Sequence, residues 1–141
     1  MQILFTTNHI DEAIKDADIV ALALPGTGET TGILSRKRLS GMKEGAIIVN
    51  IGRGSAIDQD ALIELLQNGH IGGAALDVTT PEPLPPNNPL WDIPNVLITP
   101  HISHGGRDNV SGLIIDKFIR YLDDYVNGRP FQRVIDRNTG Y

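Results

Sequence analysis

Four apolar runs recur along the chain: ADIVALALP, GAIIVNIG, GAALDV and NVLITP. Each is short and rich in aliphatic or β-branched residues, as strands are. Near-continuous apolar runs are typical of parallel strands that are covered on both faces. We therefore predict a parallel sheet with both of its faces covered.

Segments with helical spacing separate these runs. In DQDALIELLQNGHIGG, Asp58 can cap a helix N-terminus, and Gly69 follows where a left-handed residue is needed. We predict an earlier helix from Asp11 to Ala17 and a longer one from about Asp108 to Asn127, ended by NGRP. The apolar stripe predicted for the helix after Asp58 consists of Ala61, Leu62, Leu65 and Leu66.

The order of elements defines the fold class. Strand, helix, strand, helix, strand, loop, strand, helix predicts an open α/β sheet, with the proline-rich segment Thr79–Asn95 as the loop. A length of 141 residues with 40% apolar content suits a single domain, residues 1–141. Ligands of such sheets bind outside the carboxyl ends of the strands.

Composition excludes several classes of function. The formal net charge of -5 argues against a nucleic-acid partner, and the basic run at Ser35–Arg38 is interpreted as a solvated helix start. The absence of cysteine fits a reducing cytoplasm, so a cytoplasmic location is expected. No stretch approaches the roughly 20 apolar residues of a membrane span, so no membrane partner is predicted.

Three polar side chains follow different strands at the functional edge. Arg53 lies between two glycines after AIIVN, Glu82 follows GAALDV, and His101 follows NVLITP. An arginine can bind a carboxylate at two points, and an imidazole oriented by a carboxylate can exchange a proton with a carbonyl or hydroxyl oxygen. We expect the flanking glycines to allow a sharp turn and a close approach by ligand. Hydride transfer between a 2-hydroxy acid and a nicotinamide needs this set.

Other interpretations stay open. An arginine at a strand end is often a surface ion pair, and a histidine after Thr-Pro often caps a turn. The segment GTGETTG, residues 26–32, nearly matches a glycine-rich phosphate loop, but we interpret it as a decoy because no acidic residue closes a second strand about 20 positions on. His101 and His104 have no local Cys, Asp or Glu to complete a metal site, so no metal is predicted.

Longer motifs carry a family resemblance over nearly the whole chain. They are ADIVALALPGTGETTGILSRKRLSGMKEGAIIVNIGRGSAID, GGAALDVTTPEPLPPNNPLWDIPNVLITPHIS and VIDRNTGY. The chain resembles the later part of the nucleotide-binding domain, plus the C-terminal tail, of the D-isomer-specific 2-hydroxyacid dehydrogenases. The resemblance implies a partial Rossmann-like doubly wound parallel sheet that lacks the first strands and the glycine-rich turn.

The resemblance also implies roles for individual residues. Arg53 is similar to the substrate-binding arginine, Glu82 to the partner carboxylate, and His101 to the acid/base histidine. Asp77 resembles the aspartate that holds the nicotinamide carboxamide, and Ser103 stands where the family commonly has a small residue. The full cofactor-binding set implied is Ala23, Leu24, Pro25, Thr30, Ile51, Gly52, Arg53, Asp77, His101, Ser103 and His104.

The implied function is that of a fragment of an NAD(P)-dependent oxidoreductase that acts on a D-2-hydroxy acid or 2-keto acid. Because the phosphate-binding turn is missing, we expect the isolated chain to bind NAD or NADP weakly or not at all and to show little hydride transfer. The alternative is a non-catalytic pseudoenzyme or an interaction module derived from the same family. The substrate acid and the choice between NAD and NADP are not predicted.

The implied topology also leaves an exposed sheet edge. In the strand order of this fold, the missing first strand lies beside DIVALAL, so Asp18–Leu24 becomes an edge without lysine, proline or inward charge. The long C-terminal helix adds a second apolar stripe. We therefore predict a homo-oligomer, dimeric or larger, with contacts near Ile19–Leu24 or along residues 110–126.

Overall fold

The computed structural model describes residues 9–103, 110–131 and 134. These residues fall into two compact units, one that ends at His101 and one that begins at Ile102. The prediction that residues 1–141 form a single domain stays a prediction. His104 and residues 108–109 of the predicted C-terminal helix lie outside the described residues.

The first unit is built on a parallel sheet. Its described strands pair in chain order, β1-β2-β3-β4, and every pair is parallel. This confirms the predicted α/β class with a Rossmann-like sheet. The strands are β1 (Ile19–Leu22), β2 (Ala46–Asn50), β3 (Ile71–Leu76) and β4 (Val96–Ile98), and the helices are α1 (Ile10–Ile14), α2 (Arg36–Ser40) and α3 (Gln59–Gln67), with 3-10 turns at Gly54–Ala56 and Pro89–Trp91.

Coverage of the sheet differs from the prediction. Burial alternates along β1, where Val20 and Leu22 are buried while Ile19 is 60% exposed. Leu97 of β4 is 63% exposed. Successive parallel strands that are added in one direction need right-handed crossovers, which place all the connections on the same face. The prediction that both faces are covered is therefore wrong for these described strands.

Helix α3 begins and ends as its sequence predicts. The Asp58 side chain accepts a hydrogen bond from Ala61 N at 3.0 Å, and Gly69 has φ +80°. Its buried face differs slightly from the predicted stripe, because Ile63 is buried while Leu65 is only partly so. The basic segment before it also forms a helix, α2, with exposed Arg36 and Lys37.

Helix α1 is shorter than predicted. It ends at Ile14, where Ala17 N donates to the Ile14 carbonyl at 3.2 Å and closes a tighter turn into β1. Strand β1 lies at one edge of the sheet formed by the described residues, which confirms the predicted edge. The predicted oligomer stays a prediction.

The second unit contains a long helix, α4 (Val110–Val126). It ends before Gly128, which has φ +63° and donates its N–H to the Tyr125 carbonyl at 3.2 Å. Most of its described apolar side chains are exposed, including Phe118 at 64%. Across the described residues, neither α4 nor any other helix combines the length and apolarity that a membrane crossing requires.

Candidate active site

The loop after β2 is organised by a buried asparagine. Asn50 is fully buried at the end of the strand; its side-chain oxygen accepts from Gly52 N at 3.1 Å, and its amide donates to the Arg53 carbonyl at 2.9 Å. The exposed Arg53 side chain turns back, so that Nη1 donates to the Gly52 carbonyl at 2.8 Å. The guanidinium is thus held against its own loop.

The glycines beside Arg53 allow neighbouring backbone segments to pack closely. A Cβ added to Gly52 would lie 2.6 Å from the Leu24 carbonyl oxygen, and one added to Gly54 would lie 2.1 Å from the Thr79 carbonyl oxygen. Neither glycine has a positive φ. The chain does turn sharply here, with a bend at Gly52 and a 3-10 turn from Gly54, and glycine is needed because the loops after β1, β2 and β3 pack side by side. Ligand approach stays a prediction.

A histidine and a carboxylate meet at the same edge. The Nδ1 atom of His101 lies 2.6 Å from Glu82 Oε1, and both side chains are about two-fifths exposed, at 42% and 40%. The backbone of His101 has φ 54°, the left-handed region that side chains other than glycine seldom adopt. Its N–H donates to the carbonyls of Asp77 and Thr99, each at 3.0 Å. Hydrogen bonds therefore hold the strained residue.

The carboxylate of Asp77 lies just after β3. Asp77 is 5% exposed, and the Thr99 hydroxyl donates to its Oδ1 atom at 2.6 Å. Its backbone N–H donates to the Asn50 carbonyl at 2.9 Å. Asp77 is thus fixed from both neighbouring strands, as a group that must present a defined carboxylate should be.

A cavity of about 600 Å³ connects these groups. Asp77, Glu82 and His101 line it with polar atoms, and Leu84 and Trp91 contribute apolar walls. The Trp91 ring is held by a hydrogen bond from Nε1 to the Pro85 carbonyl at 2.9 Å. Arg53 does not line this cavity. The structure thus brings Asp77, Glu82 and His101 together and leaves Arg53 on the neighbouring loop.

The remaining predicted cofactor residues lie in several places. Leu24 is half-buried between exposed Ala23 and Pro25, and Ile51 is 49% exposed. Ser103 is exposed in the second unit, whereas His104 lies outside the described residues. Their contact with a cofactor stays a prediction.

Several polar groups of the loop after β1 are already engaged in hydrogen bonds within the protein. The Thr30 hydroxyl donates to the Pro25 carbonyl at 2.6 Å and accepts from Thr27 N at 2.9 Å. Thr31 N and Gly32 N donate to backbone carbonyls at 3.0 and 2.8 Å. A phosphate cradle needs backbone N–H groups that point at the ligand. Here the N–H groups of Thr27 and Thr31 are engaged within the loop and that of Gly32 with the Ser55 carbonyl, which supports the interpretation of this loop as a decoy.

Sequence reasoning missed Asn50, Thr99 and Gln59. Gln59 joins the loop after β3, because its amide donates to the Thr80 carbonyl at 2.7 Å and accepts from Thr80 N at 2.9 Å. Asn50 could have been found as the polar residue that ends an otherwise apolar run, AIIVN. Thr99 and Gln59 gave no such signal. Within the described part of the chain, no three His, Cys, Asp or Glu side chains could hold a metal ion together.

Comparison with known proteins supplies independent information. Residues 2–103 match the model of the family described as D-isomer specific 2-hydroxyacid dehydrogenase, NAD binding domain. A curated relative, glyoxylate/hydroxypyruvate reductase B of Pectobacterium carotovorum, is 41% identical over 127 residues, which cover 86% of this chain and 40% of the relative. The chain spans less than half the length of such relatives, 45% and 40% for two of them.

Solved structures agree with the fold. The D-isomer specific 2-hydroxyacid dehydrogenase from Xanthobacter autotrophicus Py2, in complex with NADPH and MES, superposes with a TM-score of 0.86 at 34% identity, over 95% of this chain and 54% of that one. An NADPH-dependent glyoxylate/hydroxypyruvate reductase from Sinorhizobium meliloti, in complex with NADP and sulfate, gives a TM-score of 0.86 at 29% identity, over 97% and 44% of the two chains. The similarity includes the strands that carry the site.

Proposed function

The chain belongs to the D-isomer specific 2-hydroxyacid dehydrogenases, and we propose that it carries the acid–base and nicotinamide-facing part of an NAD(P)-dependent oxidoreductase. The reaction would interconvert a 2-keto acid and a D-2-hydroxy acid. The observation that carries the proposal is the 2.6 Å contact between His101 Nδ1 and Glu82 Oε1 in the wall of a cavity that Asp77 also lines.

His101 is proposed as the proton donor and acceptor. The contact with Glu82 uses Nδ1, so proton exchange with the substrate oxygen falls to Nε2, the other ring nitrogen. Glu82 would hold the ring in one orientation and stabilise the imidazolium form. In reduction, the imidazolium gives its proton to the carbonyl oxygen as the carbonyl carbon receives a hydride. In oxidation, the neutral ring takes the hydroxyl proton.

Arg53 is proposed to bind the acid group of the substrate. A guanidinium offers paired N–H donors that match a carboxylate, and its charge polarises a neighbouring keto oxygen. The Arg53 side chain is exposed and already oriented by its bond to the Gly52 carbonyl. Because Arg53 lies one loop away from the cavity, the substrate would bridge the ends of β2 and β4.

The residues present fit the nicotinamide end of the cofactor. Asp77 is a buried carboxylate that accepts from Thr99 and lines the cavity, and carboxylate oxygens are acceptors of the kind that carboxamide N–H groups bind. The nicotinamide supplies or accepts the hydride when it is bound. The loop of residues 26–32 does not fit the phosphates, because the backbone N–H groups of Thr27, Thr30, Thr31 and Gly32 are already engaged.

The names of the relatives support a proposal for the substrate class. Several are named glyoxylate/hydroxypyruvate reductases, so we propose small 2-keto acids such as glyoxylate and hydroxypyruvate as substrates. The cofactor is proposed as NADH or NADPH without a choice between them, since the acidic residue that reads the ribose follows the glycine-rich turn in this fold.

A hybrid enzyme tests the proposal. The 127 matching residues of the Pectobacterium reductase are exchanged for those of this chain, and oxidation of NADH and NADPH is followed with glyoxylate, hydroxypyruvate and pyruvate. We expect turnover in the range of ordinary enzymes, about 1 per second or faster, from the hybrid, and little or none from the chain alone. A folded hybrid without hydride transfer would instead favour a non-catalytic module.

A further inference from the structure

We propose that Asn50 is a positioning residue for the Arg53 guanidinium; this rests on the proposed role of Arg53 in binding a substrate carboxylate. Asn50 is fully buried, and both ends of its amide are used. Its oxygen accepts from Gly52 N at 3.1 Å, and its nitrogen donates to the Arg53 carbonyl at 2.9 Å. One side chain therefore spans the peptide unit that leads into Arg53.

The position of the guanidinium depends on that peptide unit. Arg53 Nη1 donates to the Gly52 carbonyl at 2.8 Å, so the group that orients the guanidinium belongs to the residue whose N–H Asn50 holds. The stem of the side chain also lies close to Gly26, since a Cβ added to Gly26 would lie 3.2 Å from Arg53 Cγ. A chain of hydrogen bonds thus runs from the core to the charged group.

The same residue links the two halves of the site. The Asn50 carbonyl accepts from Asp77 N at 2.9 Å, so the end of β2 fixes the start of the loop that carries the buried carboxylate. A fully buried amide is costly unless both of its ends are paired. The Asn50 amide thus holds the loop that carries Arg53, and the main-chain carbonyl of the same residue holds the start of the loop that carries Asp77.

Substitutions separate this role from general stability. Asn50→Ser is too short to span both backbone groups. Asn50→Asp keeps an acceptor for Gly52 N but replaces the donor to the Arg53 carbonyl with an oxygen. The chemical control is Asn95→Ser, which makes the same substitution at an exposed asparagine whose amide donates to the Gly72 carbonyl at 2.7 Å near the amino ends of the strands.

Backbone and side-chain NMR relaxation of the chain tests the positioning directly, without turnover. We expect the backbone order parameters of Gly52 N and Arg53 N to fall from about 0.85 to below about 0.6 in Asn50→Ser, and that of the Arg53 side-chain Nε to fall from its unsubstituted value. Asn95→Ser should leave them unchanged. If Asn50→Ser does not fold, Asn50→Asp is measured instead. Unchanged order parameters in a folded Asn50 variant would overturn the proposal.

Titration with oxamate, a 2-keto acid analogue, tests the consequence for binding. We expect Asn50→Ser to lower the affinity for oxamate about tenfold. In an Arg53→Ala background, Asn50→Ser should have no further effect on that affinity, because the effects of coupled residues are not additive. Equal losses from Asn50→Ser with and without Arg53 would show that Asn50 acts on stability alone. If the unsubstituted chain binds no oxamate, that result counts against the proposed function, and the relaxation data alone decide the role of Asn50.

Discussion

Two glycine-containing loops follow neighbouring strands at the same sheet edge, yet they differ in what they leave for a ligand. In the loop after β1, residues 25–32, the N–H groups and hydroxyls of Thr27, Thr30 and Thr31 bond within the loop, and Gly32 N donates to the Ser55 carbonyl of the next loop. The loop after β2 is packed through Gly52 and Gly54 against adjacent backbones, and it leaves the charged side chain of Arg53 exposed. The first loop resembles a binding motif in sequence, whereas the second presents the arginine that we propose to bind the substrate.

The difference shows what a glycine pattern can and cannot indicate. A Cβ at Gly28 would meet no atom within 4 Å, whereas one at Gly54 would meet the Thr79 carbonyl oxygen at 2.1 Å. Glycine is structurally required only at the second position. Spacing in the sequence cannot reveal this distinction, because it depends on which backbone lies opposite.

The largest expected effect contrasts the proposed acid–base residue, which follows β4 at the same edge, with the loop after β1. In the hybrid enzyme, His101→Asn should lower kcat/KM by about 10² to 10⁴, the usual contribution of a general acid–base group. Asparagine tolerates the left-handed backbone of His101, whose φ is 54°, so the fold should be retained. Gly28→Ala in the loop after β1, where an added Cβ would meet no atom within 4 Å, should leave kcat/KM within about threefold, since a change of less than about 0.5 kcal/mol is expected there.

Steady-state kinetics with glyoxylate and thermal melts measure this prediction. A His101→Asn hybrid with unchanged kcat/KM would remove His101 from the chemistry. Equal losses from His101→Asn and Gly28→Ala would mean that the loop after β1 takes part in catalysis.

The second prediction concerns stability. Gly54→Ala places a methyl group inside the contact distance of the Thr79 carbonyl, so the loops after β2 and β3 must separate. We expect a loss of about 3 kcal/mol in the free energy of unfolding, at the upper end for overpacked sites. Gly28→Ala is the matched control and should change it by less than about 0.5 kcal/mol. Urea unfolding of the chain measures both, and similar values for the two would contradict the packing argument.

Much of this architecture could be predicted because local chemistry determines it. The four apolar runs form four parallel strands, and Asp58 and Gly69 mark the two ends of α3 as expected. The prediction that both sheet faces are covered failed because an apolar run does not tell which crossovers exist. Ile19 illustrates this, since it is as apolar as Ile48 yet 60% exposed while Ile48 is fully buried.

The candidate site likewise has features that the sequence predicts and features that it does not. The pairing of Glu82 with His101 could be predicted, since both follow strands whose carboxyl ends share one edge. The bonds from Asn50 and Thr99 could not, because they depend on the register of neighbouring strands and on side-chain reach. Residues that present chemistry are thus easier to find in a sequence than the residues that hold them.

The third prediction tests the closed hydrogen bonding of the loop after β1. Thr30→Val keeps the shape but removes the donor to the Pro25 carbonyl and the acceptor for Thr27 N. We expect a loss of about 1 kcal/mol in unfolding free energy, typical of a hydrogen-bonded hydroxyl. Amide hydrogen exchange should accelerate at Thr27 and not at Gly52. Unchanged exchange at Thr27 would show that the loop does not depend on its threonine.

The smallest expected effect lies at the opposite edge, where charges pair without a proposed function. Lys43 Nζ lies 2.5 Å from Asp18 Oδ1, and the two side chains are 54% and 80% exposed. The hydrogen bond from Lys43 holds the pKa of Asp18 below its ordinary value of 3.8, and the bond to Asp18 raises the pKa of Lys43 above 10.5. A lowered acid pKa contributes stability that is present above 3.8 and is lost as pH falls through the value in the folded state. The raised lysine pKa contributes stability that is present below 10.5 and is lost as pH rises through its folded-state value.

Solvent screens a pair that is this exposed, so Lys43→Gln should leave the melting temperature at neutral pH nearly unchanged. The same substitution should reduce the fall of the melting temperature at both acidic and alkaline pH. Melting curves across pH check this, and a large loss at neutral pH would show that the amino-end edge of the sheet relies on its charges.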